Sequence, residues 1–272
     1  MIDSIPDVEA LKGRLKATWM AGDFGQVAKA IEPHALEFIA RRRITPGIRV
    51  LDVACGTGNL AILAAQAGAI VTGVDIATNL IEQARVRGRR EGVKVRFDEG
   101  DAEKLVYPDA GFDLVVSMYG AMFAPRPERA AAELVRVCRP SGLIAMANWT
   151  PGGFVGQMFK VTATHVPPPP GMPAPVLWGD ERIVRERLRE GIAELRLTPV
   201  LVRFKYPFSV PKTIEFYRTY FGPTQCAFAA LPEDKQLDLR RDLENLWAQH
   251  NTATDGTTDV EAEYLEVLAT RA

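Results

Sequence analysis

The stretch Val50-Leu51-Asp52-Val53-Ala54-Cys55-Gly56-Thr57-Gly58-Asn59-Leu60 constrains this chain more than any other. An apolar run with one acid near its end reads as a buried strand. A glycine loop follows, and Asn59 to Ala67 reads as a helix. The next apolar run, Ala69-Ile70-Val71-Thr72-Gly73-Val74, ends on Asp75. Glycines at the first turn let a backbone approach a ligand that a Cβ would strike. Asp75 is placed to accept hydrogen bonds from ribose hydroxyls, as an acid about 20 residues on does in dinucleotide folds. The unit is the outline of a nucleoside-cofactor site.

Gly56-Thr57-Gly58-Asn59-Leu60-Ala61 also fits the dinucleotide fingerprint. Asp52 argues against a dinucleotide. A pyrophosphate in this turn would sit beside that carboxylate and be repelled, whereas an ammonium and a sulfonium would be held. The rest of the alternation points the same way. A third strand around Val93 to Phe97 leads to Gly100-Asp101-Ala102-Glu103. Gly111-Phe112-Asp113-Leu114-Val115-Val116-Ser117-Met118 reads as a fourth strand. A helix from Pro127 to Cys138, the turn Arg139-Pro140-Ser141-Gly142 and a fifth strand to Asn148 complete the series.

From Val50 to Asn148 the chain resembles the class I S-adenosylmethionine-dependent methyltransferases. It looks closest to the small-molecule branch around the ubiquinone/menaquinone-biosynthesis methyltransferases. The acidic-x-x-x-Gly-x-Gly loop, the ribose acid, the adenine-side acid and the Arg-Pro-x-Gly turn carry the resemblance in order. Ala54-Cys55 departs from it, standing where many members have glycine. The resemblance implies S-adenosyl-L-methionine as cofactor, and no metal. It places Asp52, Ala54, Gly56 and Gly58 at the methionine part, Asp75 at the ribose and Ile76 on the adenine face. Asp101 and the Ala102 N–H would meet the adenine edge. The Ser117 carbonyl would accept from the cofactor's amino group, with Met118 and Tyr119 facing the reactive methyl. The reaction implied is in-line transfer of a methyl to an O, N or C atom of a small acceptor. A protein that binds the cofactor without transferring its methyl, or uses it for other chemistry, would carry the same motifs.

The expected fold is α/β: a Rossmann-like, mostly parallel seven-stranded sheet with helices on both faces and an antiparallel last strand. Residues 1–44 are expected to supply N-terminal helices over the cofactor site. These are Asp7 to Trp19 and a single longer helix from Phe24 to Arg43. Residues 45–148 form the cofactor-binding core, and residues 149–272 supply cap segments and the last strands of the same sheet. Proline excludes a helix over Val166-Pro167-Pro168-Pro169-Pro170. Asp180 to Arg189 reads as a charged helix, Leu195 to Phe208 as a sixth strand and Val260 to Arg271 as the last. Pro211 to Phe228 and Pro232 to His250 read as helices, and Asn251 to Thr258 as a mobile loop.

Ligands in open α/β sheets bind outside the carboxyl ends of the strands. The aromatic-rich segments 149–179 and 211–250 are therefore candidates for a cap holding the acceptor. Trp149, Phe154, Trp178, Tyr217 and Phe221, with Tyr119, are its expected pocket residues, suited to an apolar or aromatic molecule. His165, beside the proline run, is the one candidate base; His34 and His250 read as structural or solvated.

The 272 residues carry a formal net charge of −1, which makes no electrostatic case for a nucleic acid or an anionic membrane. That balance also counts against an RNA methyltransferase. Cys55, Cys138 and Cys226 form no metal spacing and read as reduced thiols. With no signal-like start and no membrane-length apolar run, the expected location is cytoplasmic.

Overall fold

A computed structural model describes residues 7–272. One seven-stranded sheet organises the chain, in the order β3-β2-β1-β4-β5-β7-β6. The strands are β1 (Arg49–Val53), β2 (Ile70–Asp75), β3 (Val95–Glu99), β4 (Phe112–Met118), β5 (Cys138–Trp149), β6 (Ile192–Tyr206) and β7 (Thr258–Arg271). The first five are parallel. β7 inserts antiparallel between β5 and β6, as expected for the last strand.

The register explains why a site forms where it does. Val53 pairs with Val74, and Asp52 pairs with both Gly73 and Val116. The carboxyl ends of β1, β2 and β4 therefore lie side by side. Asp52, Asp75 and Tyr119 leave the sheet there together. The Arg139-Pro140-Ser141-Gly142 turn is the irregular start of β5. The β4–β5 register slips between the Phe112↔Cys138 and Leu114↔Leu143 pairs, and Ser141 takes φ 57°.

The crossover helices are α4 (Asn59–Gln66), α5 (Thr78–Arg90) and α6 (Pro127–Val137). Ahead of the sheet come α1 (Val8–Met20), α2 (Phe24–Ala30) and α3 (Glu32–Ala40). α1 starts where the Asp7 carboxylate accepts from the Glu9 and Ala10 N–H groups, both at 3.1 Å. The single helix expected over 24–43 is two. Pro33, the second residue of α3, lacks an N–H, and its ring would clash with the carbonyl four residues back, so the helix restarts at Glu32.

Beyond β5 lie α7 (Phe154–His165), α8 (Glu181–Arg187), α9 (Val210–Tyr220), α10 (Gly222–Ala229) and α11 (Glu233–His250). α7 was hidden in the sequence by the Pro151-Gly152-Gly153 run before it and the prolines after it. The helix read from Pro211 to Phe228 breaks at Phe221, which is extended ahead of Gly222-Pro223. Asn251 to Thr258, expected to be mobile, is tied in place. The Asn251 side chain accepts from the Ala253 and Asp259 N–H groups and donates to the Thr257 carbonyl. No described helix is long and apolar enough to cross a membrane.

Candidate active site

A cavity enclosing about 1000 Å³ of space, part of it open to solvent, sits at the carboxyl ends of β1, β2 and β4. Asp52 is 2 % exposed, and its Oδ2 accepts from the Ala61 N–H in the first turn of α4 at 3.0 Å. Among the described residues, no basic side chain reaches it within ion-pair distance. Burial pushes its pKa up to about 8, partly offset by the Ala61 bond and reinforced by the nearby Asp75. Asp75 is tied more closely to the chain. Its two oxygens accept from the Gly56 and Ala77 N–H groups, both at 2.8 Å. Burial raises its pKa too, against those backbone bonds.

The loop between them is wound tightly. Ala54, Gly56 and Gly58 take φ of 56°, 54° and 83°. Across from it Tyr119 also lies at positive φ, 58°. Left-handed backbone at non-glycine residues stores strain and concentrates at functional sites. A Cβ on Gly120 would stand 2.6 Å from both the Cβ and the carbonyl oxygen of Ala54, so only glycine lets these two loops close on each other. Sequence reading passed over Gly120, whose sole signal is its place just past a strand end.

Of the residues expected at the cofactor, Asp52, Ala54, Gly56, Asp75, Ile76, Asp101, Ala102 and Met118 line the cavity. Gly58 and Ser117 do not. Gly58 caps α4, and a Cβ there would meet the Phe97 ring at 3.1 Å. The Ser117 hydroxyl accepts from the Ala121 N–H at 3.0 Å and supports the turn after β4. Cys55 lines the cavity as well, but burial raises its thiol well above the ordinary range and keeps it from acting as a thiolate nucleophile.

Asp101 is held from an unexpected side. Its Oδ1 accepts from the Glu103 N–H at 2.9 Å, and its Oδ2 meets Lys12 of α1 at 2.6 Å. Lys12 also reaches the fully buried Glu103 carboxylate at 2.9 Å, which Arg126 grips at 2.7 Å. Burial opposes the Lys12 charge, but the two carboxylates outweigh it and hold the ammonium above its ordinary range. This cluster clamps α1 over the third strand end.

The acceptor side differs from expectation. Of the six residues named for it, only Tyr119 lines the cavity. Trp149 stacks on Tyr119 with ring centroids 3.7 Å apart and lies behind it. Phe154 packs on Trp247 at 4.7 Å. Trp178 lies beneath Arg187, and the Tyr217 hydroxyl pairs with that of Tyr206 at 2.9 Å. Phe221 backs Trp19 at 5.9 Å. These large rings fill the space between the added helices and the sheet, together with aliphatic residues such as Ile214, Leu239 and Leu243. The cavity wall is built instead from Leu15 and Trp19 of α1, Phe24 of α2, Ile31 and Phe123. Trp19 meets Phe24 and Phe123 edge-on at 5.5 and 4.9 Å. A β-bridge between Gly22 and Phe221, with the Asp23 N–H donating to the Tyr220 carbonyl at 3.1 Å, fixes the α1–α2 link that carries Trp19 and Phe24. His165 is outside the cavity, its Nε2 2.9 Å from Asp242 on α11.

Comparison with known proteins agrees with this geometry. A family profile described as "Methyltransferase domain" matches residues 51–146. An uncharacterized protein of Mycobacterium tuberculosis is 34% identical over 265 residues, 96% of this chain and 95% of that protein. The demethylmenaquinone methyltransferase of Deinococcus radiodurans is 36% identical over 124 residues, 44% of this chain and 52% of that enzyme. The crystal structure of a putative methyltransferase from Bacillus halodurans shares the fold with a TM-score of 0.58 at 18% identity, covering 87% of this chain and 97% of that one. The chain belongs to the S-adenosylmethionine-dependent methyltransferases.

The cavity suits that cofactor. Asp52 is a buried carboxylate without a countercharge, which a ligand bearing an ammonium and a sulfonium supplies. Asp75 supports a direct test. Asp75→Ala is expected to weaken S-adenosylhomocysteine binding by about 1.5–3 kcal/mol, the range for hydrogen bonds to a charged group. Calorimetry measures this, with circular dichroism to confirm the fold. Unchanged affinity in a folded variant would remove Asp75 from the ligand's contacts.

Proposed function

We propose that the enzyme methylates a small apolar or aromatic molecule, and that this acceptor lies against Trp19, Phe24 and Phe123. The observation that carries the reading is the cavity wall. Apart from the acids at the strand ends, Lys12, which is engaged by them, Asn59 and the Tyr119 hydroxyl, its large side chains are apolar. A charged acceptor would find no free partner of opposite sign on that wall.

In this reading Asp52, Ala54 and Gly56 hold the methionine end, with Asp52 facing its positive charge. Asp75 holds the ribose. Ile76, Asp101 and Ala102 hold the adenine, Asp101 keeping one oxygen on Lys12. When bound, S-adenosylmethionine supplies a methyl already activated by its sulfonium. The protein's part is then positioning: Met118 and Tyr119 beside the reacting centre, aromatic faces around the acceptor and exclusion of water. Alignment at about 3–3.5 Å provides much of the acceleration in such transfers. No histidine lines the cavity, so the acceptor's own O, N or C nucleophile reacts without a histidine base. Residues 1–6 of the expected 1–44 segment lie outside the described residues; we also propose that residues 7–44 and 149–272 act together as the cover of the core at 45–148, in a cytoplasmic enzyme that engages neither nucleic acid nor membrane.

Transfer of labelled methyl from S-adenosylmethionine tests this against panels of neutral phenols and quinols, carboxylated analogues and amines. Neutral planar acceptors are expected to be labelled first. Label entering only charged acceptors would reject the assignment, and cofactor binding with no transfer to any panel would favour the non-catalytic reading. Once an acceptor is found, Trp19→Ala or Phe123→Ala is expected to raise its KM by about 1–3 kcal/mol of lost contact. Cofactor affinity should stay within a few-fold.

A further inference from the structure

A second cleft, enclosing about 1410 Å³ of space, much of it open to solvent, runs between α6 and α8 and shares no lining residue with the cofactor cavity. Ala131 and Val135 of α6, Leu177 and Ile183 form its apolar sides. Arg187, the last residue of α8, lies within it with only 6% of its side chain exposed. Among the described residues its Nε and Nη1 are buried and have no hydrogen-bond partner. The guanidinium lies over the Trp178 ring, 4.8 Å from the centroid, and the buried Trp178 indole N–H is unpartnered too.

The neighbouring charges leave Arg187 with one loose ion pair, to Glu128, and no hydrogen-bonded anion. Arg136 is bound to Glu133 and Asp109, Arg271 donates to the carbonyls of Arg136 and Cys138, and Arg189 meets Glu190. The nearest acid to Arg187 is Glu128. Its Oε1 stands 3.9 Å from Nε, beyond a hydrogen bond, and its side chain is 75% exposed. Glu186 also lines the cleft and makes no ion pair with Arg187. Burial lowers the Arg187 pKa, with Glu128 and Glu186 opposing, yet an arginine keeps its proton in a protein. A buried charge with unmet N–H groups is strongly unfavourable. Water can satisfy the N–H groups but not the charge.

We propose that Arg187 anchors a second ligand site, separate from the cofactor cavity, for a small oxyanion of the carboxylate or phosphate type. The stack on Trp178 holds the guanidinium plane in place, and its fork of N–H donors matches two oxygens of such a group. The apolar sides of the cleft accommodate a short carbon body behind it. Glu128, exposed at the mouth, opposes an incoming anion by like charge.

Trp178 gives the site its own reporter. The indole N–H resonance of Trp178, assigned by its loss in Trp178→Phe, is followed on titration with inorganic phosphate and, separately, with acetate, at constant ionic strength in chloride. A saturable shift is expected with at least one of them, and which one binds more tightly identifies the ligand type. Glu128→Gln should tighten that binding several-fold. Arg187→Gln should weaken it about tenfold or more, as loss of a charge-assisted pair does, and should raise the melting temperature in anion-free buffer by removing the loosely paired buried charge. Arg187→Lys, which keeps the charge but loses the planar fork, covers the case in which the glutamine variant fails to fold; it too should bind more weakly. Absence of a saturable shift with either anion, or an undiminished one in the Arg187 variants, would overturn the site. So would a melting temperature that falls in Glu128→Gln, since Glu128 would then be the resident partner.

Discussion

Asp52→Asn is expected to weaken S-adenosylhomocysteine binding by about 3–5 kcal/mol, the range for removing one partner of a buried charge pair. The same change should stabilise the ligand-free protein. The two effects share one cause. Asp52 is a buried carboxylate with a single backbone donor, and its pKa is pushed up to about 8 by burial. A raised acid binds its proton more tightly folded than unfolded. Its contribution to stability is therefore fully present below the ordinary carboxylate range and is lost as pH rises toward about 8. Asparagine does not titrate, so the variant's stability should fall less steeply across that window. Asp75, whose pKa is raised by the same burial, leaves a residual slope. On the proposed placement, the ligand's ammonium beside Asp52 ionises it, so the wild-type protein should release close to one proton per ligand near neutral pH, and Asp52→Asn markedly less. Calorimetry in buffers of different ionisation enthalpy reads that proton directly. Equal release from both proteins would show that Asp52 is already charged in the free enzyme and would undo this account of the site.

The strand-end half of the cavity was legible in the sequence because it is local. Asp52, the glycine loop and Asp75 lie within two consecutive strands, and parallel pairing of β1 with β2 places them together without help from the rest of the chain. The opposite wall, where we propose the acceptor lies, was not, because it is assembled from separate segments. Trp19 looks like any apolar residue on a short amphipathic helix, and Phe123 follows an irregular strand end. The bridge between Gly22 and Phe221, with the Asn79 side chain donating to the Met20 carbonyl, brings the α1–α2 link to its position. Reading 24–43 as one helix obscured this further, since Ile31 reaches the cavity wall at the break that Pro33 imposes. The clamp of Lys12 on Asp101 and Glu103 was equally hidden: α1 is distant in sequence, and a lysine on a charged helix normally faces water. The aromatic-rich segments misled for the opposite reason. Abundance of rings marked a core to be filled, not a pocket.

The distinction between filler and wall has a measurable consequence. Phe154→Ala and Tyr217→Ala remove side chains that are 3% and 5% exposed and packed against Trp247 and Tyr206. Large-to-small changes at such aromatic sites are expected to cost about 3–5 kcal/mol, through lost burial plus an unfilled cavity. In a chain of 272 residues that lowers the melting temperature by about 5–9 °C. Neither residue touches the cofactor cavity, so S-adenosylhomocysteine should bind the folded variants within a few-fold of wild type. Trp19→Ala should behave differently. Trp19 is partly exposed at the cavity and meets Phe24 and Phe123 only edge-on, so its stability loss should be smaller and its effect on the acceptor larger. Melting curves and cofactor titrations on the three variants separate the roles before any acceptor is known. A Phe154 or Tyr217 variant that melts with wild type yet loses acceptor turnover would return those rings to the pocket, and the wall of Trp19, Phe24 and Phe123 would then be only part of it.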